Sequence, residues 1–348
     1  MPDHKPLPTP SFFTPDEASN WGYRPNHAEL FQTAMDWTST HSIRPSAADE
    51  HTVHLLLIDL QKDFCHPDGS LYVGGRSGTG AIDDNKRIAE FIYKNLGSLT
   101  SITTTMDTHF AYQIFFPSFW IDEHGAPLDA FRVITSDELR AGSVRPNPKT
   151  AKWLCSGNYS WLRKQVEYYC NELERAGKYQ LYLGPPHCIL GSEGHALSGL
   201  IHEARMFHAF ARGMQSWVEV KGGNPLTENY SVLRPEVLSR HDGKALAQRN
   251  AGFLKTLLRS DTVIIAGQAA SHCVKSTIDD LLDEIVLADP ELAKKVYILT
   301  DCMSAVTVPD GQGGFAADFT AEAEAAFDRF AAAGMNLVRS TDDIANWR

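Results

Sequence analysis

The chain has no apolar run approaching the ~20 residues that cross a bilayer, no block of Lys or Arg, and no paired cysteine spacing. Each absence excludes something. Without a long apolar run, a spanning helix is not expected. With 32 basic against 43 acidic residues the net charge is −11, so a nucleic-acid or anionic-membrane surface is not expected, because such binding is driven by basic patches. The first residues, MPDHKPLPTPSFFTPDEASNW, lack the basic start and apolar core of a secretory signal, and a cytoplasmic location is expected. The six cysteines (Cys65, Cys155, Cys170, Cys188, Cys273, Cys302) are scattered. In a reducing cytosol they remain thiols, available for chemistry. There is no internal repeat and no low-complexity tract beyond a Pro-rich start.

What is present is a rhythm of strands and helices. Residues 1–50 read as an N-terminal extension carrying one helix, HAELFQTAMDWTSTH. From residue 51 to 348 the pattern alternates. TVHLLLIDL, LTSITTTMD, YQLYLG, SWVEVK, DTVIIAG, KVYILTD and NLVRS read as strands, being short apolar or β-branched runs. Between them, DDNKRIAEFIYKNL, SWLRKQVEYYCNELERAG, GHALSGLIHEARMFHAFARG, ALAQRNAGFLKTLLRS, HCVKSTIDDLLD and AEAEAAFDRFAAAG carry helical spacing. Alternation of this kind specifies a parallel sheet with helices on both faces. The expected class is α/β: three layers, α/β/α, around a central, mostly parallel six-stranded sheet.

In such sheets the site forms at the carboxyl ends of the strands. The strand ends here carry Asp59, then Asp107 and His109, then His187, Lys221 and Cys273. Alone, each has an ordinary explanation: a packed thiol, a turn carboxylate, a solvated lysine, a loop histidine. Together they make a constellation. Cys273 follows a loop of small residues, AGQAAS, and opens a helix, whose N–H groups and dipole are expected to lower a thiol pKa and to receive an oxyanion. Asp59 beside it is a proton acceptor, and Lys221 favours both anions. Asp107 and His109 alternate along extended chain and point to one side. With His187 they form an open divalent site suited to zinc, iron or manganese.

These segments resemble the isochorismatase-like cysteine hydrolases, and within them the nicotinamidase branch. The matching stretches are IDLQKDFCHPDGSLYVGG, MDTHF, GPPHCILGSEGHAL, VEVKGG, IAGQAASHCVKSTIDD and VYILTDCMSAV, in that order. The resemblance implies a catalytic triad of Asp59, Lys221 and Cys273, with Asp107, His109 and His187 as metal ligands, zinc above all. It implies an oxyanion hole from the amides of Ala269 and Cys273, with a cis peptide at Gln268–Ala269. It also implies a pocket lined by Phe64, Leu71 and Tyr230. The activity implied is hydrolysis of a small carboxamide, nicotinamide or an analogue, to the carboxylate and ammonia through a thioester. In a cell this would be a step of NAD salvage. A homo-oligomer is expected.

The sequence also departs from that pattern. The branch often places a Trp three residues before the metal-binding His, and here that position is Gly184. Where some members supply a further ligand, Phe115 and Phe116 stand, with Glu123 and His124 beyond them. Residues 110–178 read as an aromatic-rich insertion forming a lid or an oligomer contact. These departures leave three rivals open: hydrolysis of an N-carbamoyl, ureido or other amide C–N bond; a non-catalytic binding protein on the same fold; and vinyl-ether hydrolysis, which needs neither the thiol nor the metal trio.

Overall fold

The computed structural model describes residues 6–347 apart from Lys178. The first five residues of the expected N-terminal extension, the last residue of the expected insertion and the final Arg348 lie outside the described residues. In chain order the main elements are α1 (His27–His41), β1 (Val53–Ile58), α2 (Gly80–Lys94), β2 (Ser101–Asp107), α3 (Tyr159–Ala176), α4 (Gly199–Arg212), β3 (Trp217–Lys221), α5 (Ala251–Arg259), β4 (Thr262–Gly267), α6 (Lys275–Ala288), β5 (Val296–Leu299), α7 (Thr320–Ala332) and β6 (Asn336–Val338).

The six strands form one sheet in the order β6-β5-β4-β1-β2-β3. Every pairing in it is parallel. The expected α/β/α class with a six-stranded sheet is therefore the one observed, and the sheet is parallel throughout. Because side chains alternate across a strand, each strand feeds both faces. Leu55, Leu57, Ile264 and Ala266 pack with α1, α2 and α4 on one face. Leu56, Ile58, Val263 and Ile265 pack with α5, α6 and α7 on the other. Every residue of β1 and β4 is buried, which is why both read as continuous apolar runs.

One expected strand is not in this sheet. Of YQLYLG only Leu181–Tyr182 is extended, and it pairs antiparallel with Val133–Ile134. The sheet position beside β2 belongs to β3. A short apolar run carries no information about its partner, so its strand character was legible and its neighbour was not.

Residues 110–183 build a core of their own. Phe115, Phe116, Phe119 and Trp120 are buried in it, together with Leu162, Val166 and Tyr169 of α3. Those aromatics face inward, into this core. α3 ends at Gly177 in the left-handed region (φ 66°), as the glycine after an amphipathic run predicts. Before β1, α1 lies against α4, and Phe12 and Phe13 pack on Tyr93 and Phe207. The segment thus covers the outer helices rather than a sheet edge. No helix among the described residues is long and apolar enough to cross a membrane.

Candidate active site

The sheet brings the chemistry together through register. β1 lies between β2 and β4, so the residues following their carboxyl ends converge. Asp107, the last residue of β2, is the register partner of Lys221, the last of β3. Asp59 follows β1 directly, in the left-handed region (φ 48°), a conformation that clusters at functional sites when a non-glycine adopts it. Its amide donates to Thr105 Oγ1 at 3.0 Å, and that hydroxyl donates back to Asp59 Oδ1.

Lys221 is the hub. Its Nζ lies 2.8 Å from Asp59 Oδ2 and 3.1 Å from Asp107 Oδ1. It also reaches the Asn229 carbonyl at 3.0 Å and Cys273 Sγ at 3.6 Å. Asp59, Asp107, Lys221 and Cys273 are all buried. Burial alone would discharge the lysine, but the facing carboxylates of Asp107 and Asp59 outweigh it and hold the ammonium charged. Burial raises the Asp59 carboxyl above the usual range, an effect Lys221 opposes and Asp107 reinforces.

Cys273 differs from expectation. Burial raises its thiol well above the ordinary value; Lys221 pulls it down, while Asp59 and Asp107 push it further up. The expected lowering by a helix N-terminus is not what dominates here. Cys273 sits inside a π-helical turn, Ala270–Val274, that winds directly into α6. The thiol therefore rests protonated, and an adjacent base is needed to use it.

The strand-to-helix loop is held from below. Gly267 adopts φ 128°, and a Cβ there would meet Ile58 O at 2.2 Å. The Gln268–Ala269 peptide is cis. The amides of Gln268 and Ala270 donate to Ile58 O and Ser304 O, whereas that of Ala269 donates no backbone hydrogen bond among the described residues. Gln268 Nε2 and Ser304 Oγ both donate to the buried Asp84, at 2.8 and 2.6 Å.

Asp107, His109 and His187 bring their ligand atoms within 4.8 Å of one another. Asp107 Oδ2 is 2.9 Å from His109 Nε2 and 3.9 Å from His187 Nε2. The Nδ1 atoms face backbone carbonyls: His109 that of Gly222 at 3.2 Å, His187 that of Pro185 at 2.8 Å. A carbonyl only accepts, so each Nδ1 carries the proton and each Nε2 presents a lone pair. His109 Nε2 is buried and faces the Asp107 carboxylate. Burial lowers the His187 pKa to about 4, which favours the neutral, ligating form. Two such imidazoles and a carboxylate fit a divalent ion.

Around the trio stand aromatic rings. Phe64 lies 5.5 Å from His187. Phe115 and Phe116 lie 4.8 and 5.6 Å from His109. Among the described residues no fourth protein ligand joins the trio, and Glu123 and His124 are exposed. Tyr230 is 5.7 Å from His272, the residue before the nucleophile. Leu71 packs against the core that holds Phe64. Gly184 is buried, and a Cβ there would touch the His187 ring at 3.6 Å, an ordinary contact.

Two residues of the site were given no role in the sequence reading. Gln61 Nε2 donates to Asp107 O at 2.8 Å, and its Oε1 accepts from the Asp107 amide at 2.7 Å. Asp63 accepts from the Cys188 amide at 2.7 Å, holding the loop of His187. Both lie inside the matched stretch IDLQKDF, but nothing in that stretch says what they bond.

No family profile matches the chain. The nicotinamidase of Escherichia coli (strain K12) is 30% identical over 130 residues, 36% of this chain and 47% of that enzyme. The chain thus matches about half the length of this curated relative. A yeast nicotinamidase bound to the inhibitor nicotinaldehyde is 18% identical, with a TM-score of 0.50 covering 83% of this chain and all of that one. A nicotinamidase/pyrazinamidase of Acinetobacter baumanii superposes with a TM-score of 0.47 at 18% identity, covering 84% and 99%. At 18% identity the likeness to the yeast enzyme shows architecture alone: this chain has the α/β/α fold of that structure.

Proposed function

We propose that the protein is a cysteine-dependent amidohydrolase acting on a small carboxamide of the nicotinamide type. The observation that carries this reading is the buried lysine bridge, with Lys221 Nζ 2.8 Å from Asp59 and 3.6 Å from Cys273 Sγ. The half-length likeness to a nicotinamidase supports it.

Asp59 accepts the proton of the Cys273 thiol, and the ammonium of Lys221 stabilises the thiolate as it forms. The sulfur attacks the carboxamide carbon, and the carbonyl π electrons move onto oxygen. The amides of Ala269 and Cys273 receive that oxyanion. On collapse the C–N bond breaks, Asp59 returns its proton to nitrogen, and ammonia leaves a thioester. Water then adds to the thioester with Asp59 taking its proton. The C–S bond breaks, the thiol is restored and the carboxylate departs. Asp107, His109 and His187 would hold a divalent ion, zinc above all, which supplies an electrophilic seat for a ring nitrogen or water. Phe64, Leu71 and Tyr230 would line the pocket. In a cytoplasmic setting, with the homo-oligomer expected of it, the enzyme would serve NAD salvage.

Gly184 favours a second reading. It puts no aromatic ring beside His187 to stack on a pyridine, which suits a substrate of different outline, such as an N-carbamoyl or ureido compound. Ammonia release from nicotinamide, pyrazinamide and ureido compounds separates the two. Full carboxamide hydrolysis by Cys273→Ala would refute the thiol mechanism under either.

A further inference from the structure

The mechanism leaves unused a carboxyl buried close to its centre. Glu228 is 3% exposed and faces no cationic side chain in any ion pair among the described residues. Instead two tyrosines grip it. Tyr169 of α3 donates to Oε2 at 2.8 Å, and Tyr230 donates to Oε1 at 2.9 Å. The Glu228 amide donates in turn to the Tyr169 hydroxyl at 3.1 Å. Its carbonyl accepts from the Glu236 amide at 3.0 Å. Backbone and side chain of this one residue are thus both tied down.

The residues beside it reach the catalytic centre. The next carbonyl, of Asn229, accepts from Lys221 Nζ at 3.0 Å. Among the described residues it is the one uncharged oxygen on that ammonium, whose other partners are the carboxylates of Asp59 and Asp107 and the Cys273 sulfur. Tyr230, next again, packs against the core cluster that contains Cys273. Its ring sits 5.2 Å from Tyr179 and 5.7 Å from His272. A buried carboxyl between two phenols is costly to build unless its bonds are complete. Here they are, and they join α3 of the inserted region to the nucleophile.

We propose that Glu228 is a positioning residue of the catalytic centre: held by Tyr169 and Tyr230, it fixes the Asn229 carbonyl on Lys221 and the Tyr230 ring beside Cys273. This rests on the proposed role of Lys221 and Cys273, but not on any particular substrate. Burial pushes the Glu228 carboxyl up to about 8, with Glu236 and Asp107 adding to the effect and the two tyrosines opposing it.

The test reads the thiol itself. Full-length protein is alkylated with iodoacetamide across a pH series, and modification of Cys273 is mapped by mass spectrometry, with the partly exposed Cys155 as internal control. Glu228→Ala is expected to slow Cys273 roughly tenfold at neutral pH, since small displacements of a catalytic group are expensive. The midpoint should also move upward, because a loosened Lys221 no longer pulls the thiol down. Cys155 should be unaffected, and Glu228→Gln, which still bonds both tyrosines, should recover most of the rate. A folded Glu228→Ala with the parent rate and midpoint overturns the proposal, as does a Gln variant as slow as Ala. If Glu228→Ala does not fold, Tyr169→Phe removes one half of the grip; a smaller upward shift supports the inference and an unchanged midpoint overturns it. An altered thiol in a protein that hydrolyses no carboxamide would sink the proposed activity and leave Glu228 standing. Carboxamide hydrolysis with an unaltered thiol would do the reverse.

Discussion

Asp107 gives one carboxylate oxygen to Lys221, with Oδ1 3.1 Å from Nζ, and turns the other toward His109, with Oδ2 2.9 Å from Nε2. One side chain thus belongs both to the candidate metal trio and to the charge set around the nucleophile. The sharing follows from topology, since Asp107 and Lys221 end adjacent parallel strands in register.

That sharing separates two variants that a plain ligand set would treat alike. Asp107→Asn and His187→Ala should each lower divalent-metal affinity by more than about tenfold, read by elemental analysis of the purified chains. Only Asp107→Asn should also shift the thiol. The charge of Asp107 pushes Cys273 up, so its removal lowers the pH midpoint of alkylation. An unchanged midpoint in Asp107→Asn would mean that the two halves of the site are independent.

Lys221 is expected to matter for stability as much as for chemistry. It neutralises two buried carboxylates, and removing one partner of such a set leaves charge uncompensated in low dielectric. Lys221→Met should cost about 3–5 kcal/mol in urea unfolding. Adding Asp59→Asn to that variant should recover part of the loss, because one of the orphaned charges is then gone. A double variant no more stable than the single would show that Asp59 and Lys221 are not coupled.

Two glycines near the trio should respond oppositely to alanine. At Gly222 (φ 86°) a Cβ would stand 2.5 Å from His109 Cε1 and 2.6 Å from Asp107 Oδ1. Gly222→Ala should therefore displace two ligands, abolish metal binding, and cost at least about 1–2 kcal/mol for the left-handed backbone alone. At Gly184 the nearest atoms are His187 Cε1 and Nδ1 at 3.6 and 3.7 Å, ordinary contact. Gly184→Ala should stay within about 0.5 kcal/mol of the parent and keep its metal. Thermal melts and metal content check both.

The split between legible and illegible follows physical lines. Strands β1 and β4 are buried on both faces, so their sequences are unbroken apolar runs and their ends could be located, Asp59 and Cys273 with them. β2 and β3 were found by β-branched composition, which placed Asp107 and Lys221. His187 was located at the end of the run YQLYLG, although that run proves to be a two-residue strand outside the main sheet. The state of the thiol was misread because a helix after a cysteine is visible in sequence and the depth of its burial is not. Glu228 left no trace, because its partners Tyr169 and Tyr230 lie 59 and 2 residues away at no periodic spacing.

Two buried groups far from the metal trio in sequence should shape stability against pH in opposite senses. Burial, with the charge of Arg212, lowers His208 from 6.5 to about 4, against the Leu99 carbonyl and Asp49, which raise it. The unfolded chain then binds the proton more readily than the folded one. The stability His208 contributes is complete above pH 6.5 and is lost as pH falls through about 4, on the order of 3 kcal/mol in all. Glu228 runs the other way, raised from 4.5 to about 8: its contribution is complete below pH 4.5 and is lost as pH rises through about 8. Urea unfolding at a series of pH values should show His208→Gln removing a rise in stability between about pH 4 and 6.5, and Glu228→Gln removing a fall between pH 4.5 and about 8. If His208→Gln left the slope between pH 6.5 and 4 intact, the histidine would have to carry its charge inside the fold, and the Nε2–H that it presents to Leu99 O at 2.8 Å would belong to an imidazolium.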